Sequence, residues 1–398
     1  MNSEQAVIER DQKYVVPTYK RSSFVVDHGE GVYLYDTSGK RYLDFVAGIA
    51  VNALGYGDPE ILAAIEQQAR RLIHVSNLYL TEPQTVLAEM LVQNSFADKV
   101  FFCNSGAEAN EAAIKFARKW GRRNGGDRYE IIAFSGAFHG RTMGALAATP
   151  REHYQAPYRP LLPGVVIAEY NNLASARAAV SERTCAIIVE PIEGEGGILP
   201  ATAEFLQGLR ELCNERHLLL ICDEVQCGLG RSGTLWAYEQ SGIKPDVMTI
   251  AKPLAGGLPM GATLVTEDVA SAIAQGDHGS TFAAGPLVSS VAQVVMRRVS
   301  QPSFLAHVRE VGEYLGAGLR RLAQHKPIVS EVRGRGLMWA IELTEDAAPY
   351  VTKGYEQGVI MTMAGQKVLR LLPPLVIQRQ HVDDFLAVLD GVLPGGAE

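Results

Sequence analysis

Between residues 99 and 225 this chain alternates short apolar runs with longer stretches of helical period, and that alternation constrains its fold more than any other feature. The runs at 100–103, 131–134, 186–189 and 218–222 contain no charged residue, while 107–122 and 203–216 space apolar residues three and four apart. A strand that is apolar at every position must be covered on both faces, and helices between such strands supply the cover. The pattern predicts an α/β core built on a mostly parallel sheet. Ligands of such sheets gather beyond the carboxyl ends of the strands, so the residues just after each run are the first place to look for chemistry.

Past residue 285 the pattern changes to helical stretches at 286–299 and 304–324, then short strands at 328–332 and 337–343. A second, smaller α+β unit is the simplest account. Residues 31–44 read as a hairpin around Asp36-Thr37-Ser38-Gly39, expected to pack with that second unit. A chain of 398 residues exceeds one compact core. The expected division is an N-terminal segment 1–50, a large unit 51–284 and a small unit 285–398.

Composition narrows the function classes. A net charge of -7 argues against nucleic acid as the main partner. The most apolar stretch, 247–265, is interrupted by Lys252, Pro253 and Pro259, so no membrane span is expected. Residues 1–20 carry Glu4, Glu9 and Asp11, which disfavours a secretory or organelle leader. Cys103, Cys185, Cys213, Cys222 and Cys227 stand singly without C-x-x-C spacing, so the expectation is reduced thiols in a cytoplasmic protein with no metal site.

Three positions at the exits of apolar runs carry possible chemistry. Asn104-Ser105-Gly106-Ala107-Glu108 joins a strand to a helix, where free backbone N–H groups and the helix dipole favour an anion such as phosphate; a plain helix cap by Ser105 or Asn104 is the alternative. Asp223-Glu224 closes the 218–222 run and could hold Mg²⁺ beside a nucleotide. No G-x-x-x-x-G-K-[ST] accompanies it, since Leu34 and Arg41 spoil the match around Gly39-Lys40. Neither H-E-x-x-H nor G-x-S-x-G occurs. Lys252 follows the apolar residues 247–251 and precedes an uncharged stretch, 253–261. Desolvation there lowers an amine's pKa and makes it a better nucleophile toward an aldehyde.

Read together, S-G-A-E-A-N-E (105–111), F-H-G-R-T (138–142), E-P-I-E-G-E-G-G (190–197), D-E-V-Q (223–226) and the Lys252 segment resemble the class III, or ω-, aminotransferases. H-G-S-T-F (278–282) and R-L-L-P-P-L (370–375) extend the resemblance over nearly the whole chain. Residues 48–55, 76–79 and 81–84 are most similar to members acting on N-acetylornithine. The resemblance implies a fold-type I homodimer with sites at the subunit interface, pyridoxal phosphate as cofactor, and transfer of the side-chain amine of N-acetylornithine to 2-oxoglutarate. Succinylornithine, ornithine, 4-aminobutyrate or an acylated diamine of lysine biosynthesis are the alternative donors, and a catalytically silent binding protein on the same fold is the alternative of a different class.

The resemblance also implies residue roles. Lys252 would carry the cofactor as a Schiff base and shuttle the proton, and Asp223 would keep the pyridine nitrogen protonated so that the ring acts as an electron sink. Phe138 and Val225 would cover the two ring faces, and Gln226 would bond the phenolic oxygen. Ser105, Gly106 and Ala107 would hold the phosphate, joined by the partner subunit's Thr281. Arg141 would bind the α-carboxylate of N-acetylornithine, and Arg370 that of 2-oxoglutarate or glutamate, with Glu195 pairing Arg370 when the first substrate is bound and Ser280 beside the substrate. His139 reads as structural. The chain departs from the common family pattern at Tyr56, Glu193, Cys227, Pro253 and Ala283-Ala284-Gly285, where His, Gln, Thr or Ser, a small residue and Gly-Gly-Asn are more usual.

Overall fold

After an N-terminal helix, Glu4–Tyr14, come three short strands: β1 (Val26–Glu30), β2 (Tyr33–Asp36) and β3 (Arg41–Asp44). The turn between β2 and β3 is fixed by Asp36, whose Oδ1 accepts from the amides of Ser38 and Lys40, both at 2.9 Å. The structure is a computed structural model that describes residues 4–395; residues 1–3 and 396–398, the extremities of the two terminal units expected from the sequence, lie outside the described residues.

The apolar runs become β4 (Lys99–Cys103), β5 (Glu130–Phe134), β7 (Thr184–Val189) and β10 (Leu219–Asp223), joined by β6 (Val165–Ala168), β11 (Val247–Ile250) and β12 (Gly261–Val265). Their order in one sheet is β4-β12-β11-β10-β7-β5-β6, with only β12 running against its neighbours. Alternate residues of each strand feed two cores. Ile132, Ile187, Leu220 and Met248 face one, and Ile131, Ile188, Ile221 and Val247 face the other. Burial on both faces is why these strands are apolar throughout.

The second of those cores is closed by the helix Gly106–Gly121, which buries Ala109, Ala112, Ala113 and Ala117. Small side chains on that face let the helix lie close to the sheet, and its N-terminus sits just beyond the carboxyl end of β4. Between β7 and the helix Ala203–Arg216 the chain forms a small ribbon, β8 (Ile192–Glu193) against β9 (Leu199–Pro200).

After the helices Pro286–Val299 and Pro302–Ala323 comes an antiparallel sheet. It contains β13 (Val329–Arg335), β14 (Met338–Leu343), β16 (Thr362–Ala364) and β17 (Val368–Leu371), in the order β13-β14-β17-β16. One further strand, β15 (Val359–Ile360), pairs with β3 through Leu43 and Val359. The N-terminal strands therefore share a core with the C-terminal region, in which Val32, Leu43 and Phe45 pack with Leu315, Trp339 and Phe385.

Candidate active site

At the carboxyl ends of β4, β5, β7, β10 and β11 lies a cavity of about 260 Å³ with Lys252 in its wall. Burial lowers the Lys252 amine to a pKa of about 8, helped by the positive charge of Arg370 and opposed by Glu195, Glu190 and Asp223. The residue as a whole is half-buried, with its side chain lining the cavity. A larger hollow, about 710 Å³, lies along the N-terminal arm between Val7 and Val26, but none of the residues lining it is buried and no acid–base cluster converges there.

Asp223, the last residue of β10, is held from three directions. Its Oδ2 accepts from Asn110 Nδ2 and His139 Nδ1, each at 2.7 Å, and its Oδ1 accepts from the Val225 amide at 3.0 Å. Asn110 is itself fixed, accepting from Thr249 Oγ1 at 2.7 Å and donating to the His139 carbonyl at 2.7 Å. Burial alone would discharge the His139 ring, but the hydrogen bond and charge of Asp223, with Glu190 behind it, raise its pKa. Glu190 is raised in turn by burial and by the charge of Asp223, although its carboxylate accepts from the amides of Phe138 (2.8 Å) and Gly194 (3.1 Å).

The N-terminus of the Gly106–Gly121 helix also borders the cavity, where Gly106 and Ala107 line the wall. Their amides precede the first intrahelical bonds and are free for an anion. Gly106 lies so close to Val225 that a Cβ on it would stand 2.7 Å from Val225 Cγ1. Ser105 Oγ accepts from the Glu108 amide at 3.2 Å and is the helix cap, outside the cavity wall. Ser280 Oγ accepts from Asn104 Nδ2 at 2.8 Å within the same chain, and Thr281 is exposed; neither lines the cavity.

The two arginines are in opposite states. Arg370, on β17, is 2 % exposed, ion-paired through Nη1 with Glu195, and 3.4 Å from Gln226 Oε1. Burial would raise the Glu195 carboxyl, but Arg370 overrides it and holds the pKa low. Arg141 instead lies over aromatic rings, 3.2 Å from the Tyr154 centroid and 5.7 Å from that of Phe138. The cavity thus gathers Gly106, Ala107, Phe138, Arg141, Asp223, Val225, Gln226 and Lys252, with Glu195 and Arg370 adjoining. It also contains Asn110, His139 and Glu190, to which sequence reasoning gave no binding part; Asn110 and Glu190 stand inside the quoted motifs but betray nothing until their partners are seen.

These residues fit pyridoxal phosphate: free helix amides for a phosphate, Phe138 and Val225 in the wall for a ring, a buried and fixed carboxylate for a ring nitrogen, and a desolvated amine for an aldehyde. Among the described residues no cluster could hold a metal ion, and no helix is long and apolar enough to cross a membrane.

The chain belongs to the class-III aminotransferases, whose family model matches residues 14–393. It is 49% identical to the mitochondrial acetylornithine aminotransferase of Alnus glutinosa, over 98% of this chain and 87% of that protein. It is likewise 49% identical to the acetylornithine aminotransferase of Gloeobacter violaceus, over 96% of each. Among solved structures, the ornithine aminotransferase of Toxoplasma gondii superposes with a TM-score of 0.94 at 29% identity, over 98% of this chain and 95% of that one. The N-acetylornithine aminotransferase of Stenotrophomonas maltophilia gives 0.84 at 36%, over 97% and 98%.

Proposed function

We propose that this protein transfers the side-chain amine of N-acetylornithine to 2-oxoglutarate, giving N-acetylglutamate 5-semialdehyde and glutamate, with pyridoxal phosphate as cofactor. The observation that carries the reading is the convergence on one cavity of a desolvated amine, a buried carboxylate and two guanidiniums in different states. Pyridoxal phosphate, when bound, supplies an aldehyde that takes the amine and a ring that withdraws electrons from the carbon being deprotonated.

The chain's own residues then have distinct tasks. Gly106 and Ala107 bind phosphate through their amides, and Ser105 secures the helix end that presents them. Asp223, fixed by Asn110 and His139, would hold the proton of the ring nitrogen, and Phe138, Val225 and Gln226 would hold the ring. Lys252 would hold the aldehyde carbon through Nζ and, when free of it, would carry a proton at Nζ. Arg141 takes the donor's α-carboxylate. Glu195 masks Arg370 during that half-reaction and releases it to the α-carboxylate of 2-oxoglutarate in the next, which lets one cavity accept an amine far from a carboxylate and a ketone beside one. We assign Ser280 to the substrate entrance and the partner subunit's Thr281 to the phosphate.

The choice of donor is supported by relatives at 43–49% identity over nearly the full chain that are named as acetylornithine aminotransferases. We place the reaction in the cytosol, consistent with five free buried thiols. Lys252→Ala should bind the cofactor yet lose about 10²–10⁴-fold in turnover, measured as glutamate formed from N-acetylornithine and 2-oxoglutarate. Full activity in that variant refutes the role of Lys252. A higher kcat/KM for ornithine or 4-aminobutyrate than for N-acetylornithine refutes the donor.

A further inference from the structure

Tyr154 lies outside the cavity wall and outside the motifs that carry the family resemblance, yet its ring is the nearer of the two that the Arg141 guanidinium lies over. It sits in the short helix Glu152–Gln155, which is pinned to the loop carrying Arg141. Gln155 Nε2 donates to the carbonyls of Leu146 (3.0 Å) and Thr149 (2.9 Å), and Arg151 Nη2 donates to the Gly136 carbonyl (3.1 Å). So anchored, the half-buried Tyr154 ring meets the Phe138 ring edge-on, centroids 6.5 Å apart and planes at 82°. The Arg141 guanidinium carbon lies 3.2 Å from the Tyr154 centroid.

What Arg141 lacks matters as much. Among the described residues its interactions are the two aromatic contacts, with no hydrogen bond and no ion pair. A guanidinium held by π faces keeps its position without using any of its five N–H donors. Arg370, by contrast, already spends a donor on Glu195. Orientation and donor availability, which compete when a carboxylate or carbonyl holds an arginine, are separated at Arg141.

We infer that Tyr154 is a positioning residue for substrate recognition: its ring holds the Arg141 guanidinium open and pre-oriented for the carboxylate of the amine donor. This deepens, and rests on, the reading of Arg141 as the donor-carboxylate binder. The ring does the holding, so the phenolic hydroxyl is dispensable.

The test compares Tyr154→Leu and Tyr154→Phe in cofactor-loaded enzyme. Two donors are used: N-acetylornithine, and N-acetyl-1,4-diaminobutane, which has the amine without the carboxylate. Tyr154→Leu should lower kcat/KM for N-acetylornithine about tenfold and change that for N-acetyl-1,4-diaminobutane less than about twofold. A readout independent of turnover is calorimetric binding of N-acetylnorvaline, which keeps the carboxylate and lacks the amine; its Kd should rise about tenfold in Tyr154→Leu. Tyr154→Phe should restore both. Equal losses for the two donors, no loss for N-acetylornithine, or a Tyr154→Phe variant as impaired as Tyr154→Leu would each overturn the inference. Arg141→Gln separates the two readings. If it leaves N-acetylornithine turnover intact, the role of Arg141 itself fails; if it is impaired while Tyr154→Leu is not, only the role of Tyr154 fails.

Discussion

Glu193 is 1 % exposed, and neither of its carboxyl oxygens has a hydrogen-bond partner among the described residues. It fills the space left by Gly136 and Gly196, where a Cβ on either glycine would lie 2.4 Å from Glu193 Oε2. Burial pushes its pKa up to about 9, the charge of Glu190 adds to the rise, and Arg151 only partly offsets it. In the folded chain the group is therefore neutral at pH 7, whereas in the unfolded chain it ionises near pH 4.5. Between those values the unfolded state releases a proton that the folded state keeps, so the wild type loses stability as pH rises from about 4.5 to about 9 and no further above that. Glu193→Gln keeps the shape and removes the titration. Its thermal midpoint should exceed that of the wild type by a margin small at pH 5 and growing to roughly 5 °C at pH 9. A pH-independent margin would show that Glu193 has found a partner that stabilises its charge.

The loop from β5 to Arg141 shows how an element aims its residues. Gly140 has φ +138, and a Cβ there would stand 2.7 Å from the Ala107 Cβ and 3.0 Å from that of Ala145. Neither contact is the end of a flexible side chain, so Gly140→Ala must push the Phe138–Arg141 loop away from the helix that carries Gly106 and Ala107. We expect a loss of about 1–3 kcal/mol in stability together with weaker cofactor retention, seen as faster decay of visible absorbance on dilution; unchanged retention would mean the loop and helix move independently. Much of this architecture can be read in the chain. The helix Ala203–Arg216 follows its period, and Lys252 and Asp223 stand where apolar strands end. β12 escapes such reading because an apolar Gly-Ala-Thr-Leu-Val run looks alike in either direction; its antiparallel course goes with the connection 251–260, which holds no helix to cross back over the sheet. Asn110 shares a helix with alanines, and only the fold brings it against Asp223, 113 residues away. Tyr154 and the isolation of Glu193 are matters of ångströms between side chains, to which periodicity is blind.

At the scale of the whole molecule, one surface is too apolar to be left to water. Leu78 is 84 % exposed, Leu80 94 % and Phe282 66 %, and they belong to one surface. Asn77 Nδ2 donates to the Ala283 carbonyl at 3.0 Å, and the rings of His74 and Phe282 lie 5.1 Å apart. No charged residue occurs in 75–81 or 279–285, and the second stretch holds exposed Thr281 beside Ser280, which bonds Asn104 next to the cup proposed for the phosphate. A contiguous uncharged patch of exposed apolar side chains is what a second copy of the chain would cover. We propose that it does, each copy's Thr281 completing the other's cup. Light scattering should then give twice the mass of the 398-residue chain for the wild type. Leu78→Glu with Leu80→Glu, placing two like charges where each copy meets the other, should give the single-chain mass. Because these leucines stand outside the cavity, a subunit that folds alone should keep its Lys252 and Asp223 geometry. Its cofactor affinity should nonetheless fall about tenfold or more, the loss expected for one charge-assisted phosphate contact. A charged variant that separates into single chains with undiminished cofactor affinity would confine Thr281 to its own subunit, and one that remains double would place the interface on another face.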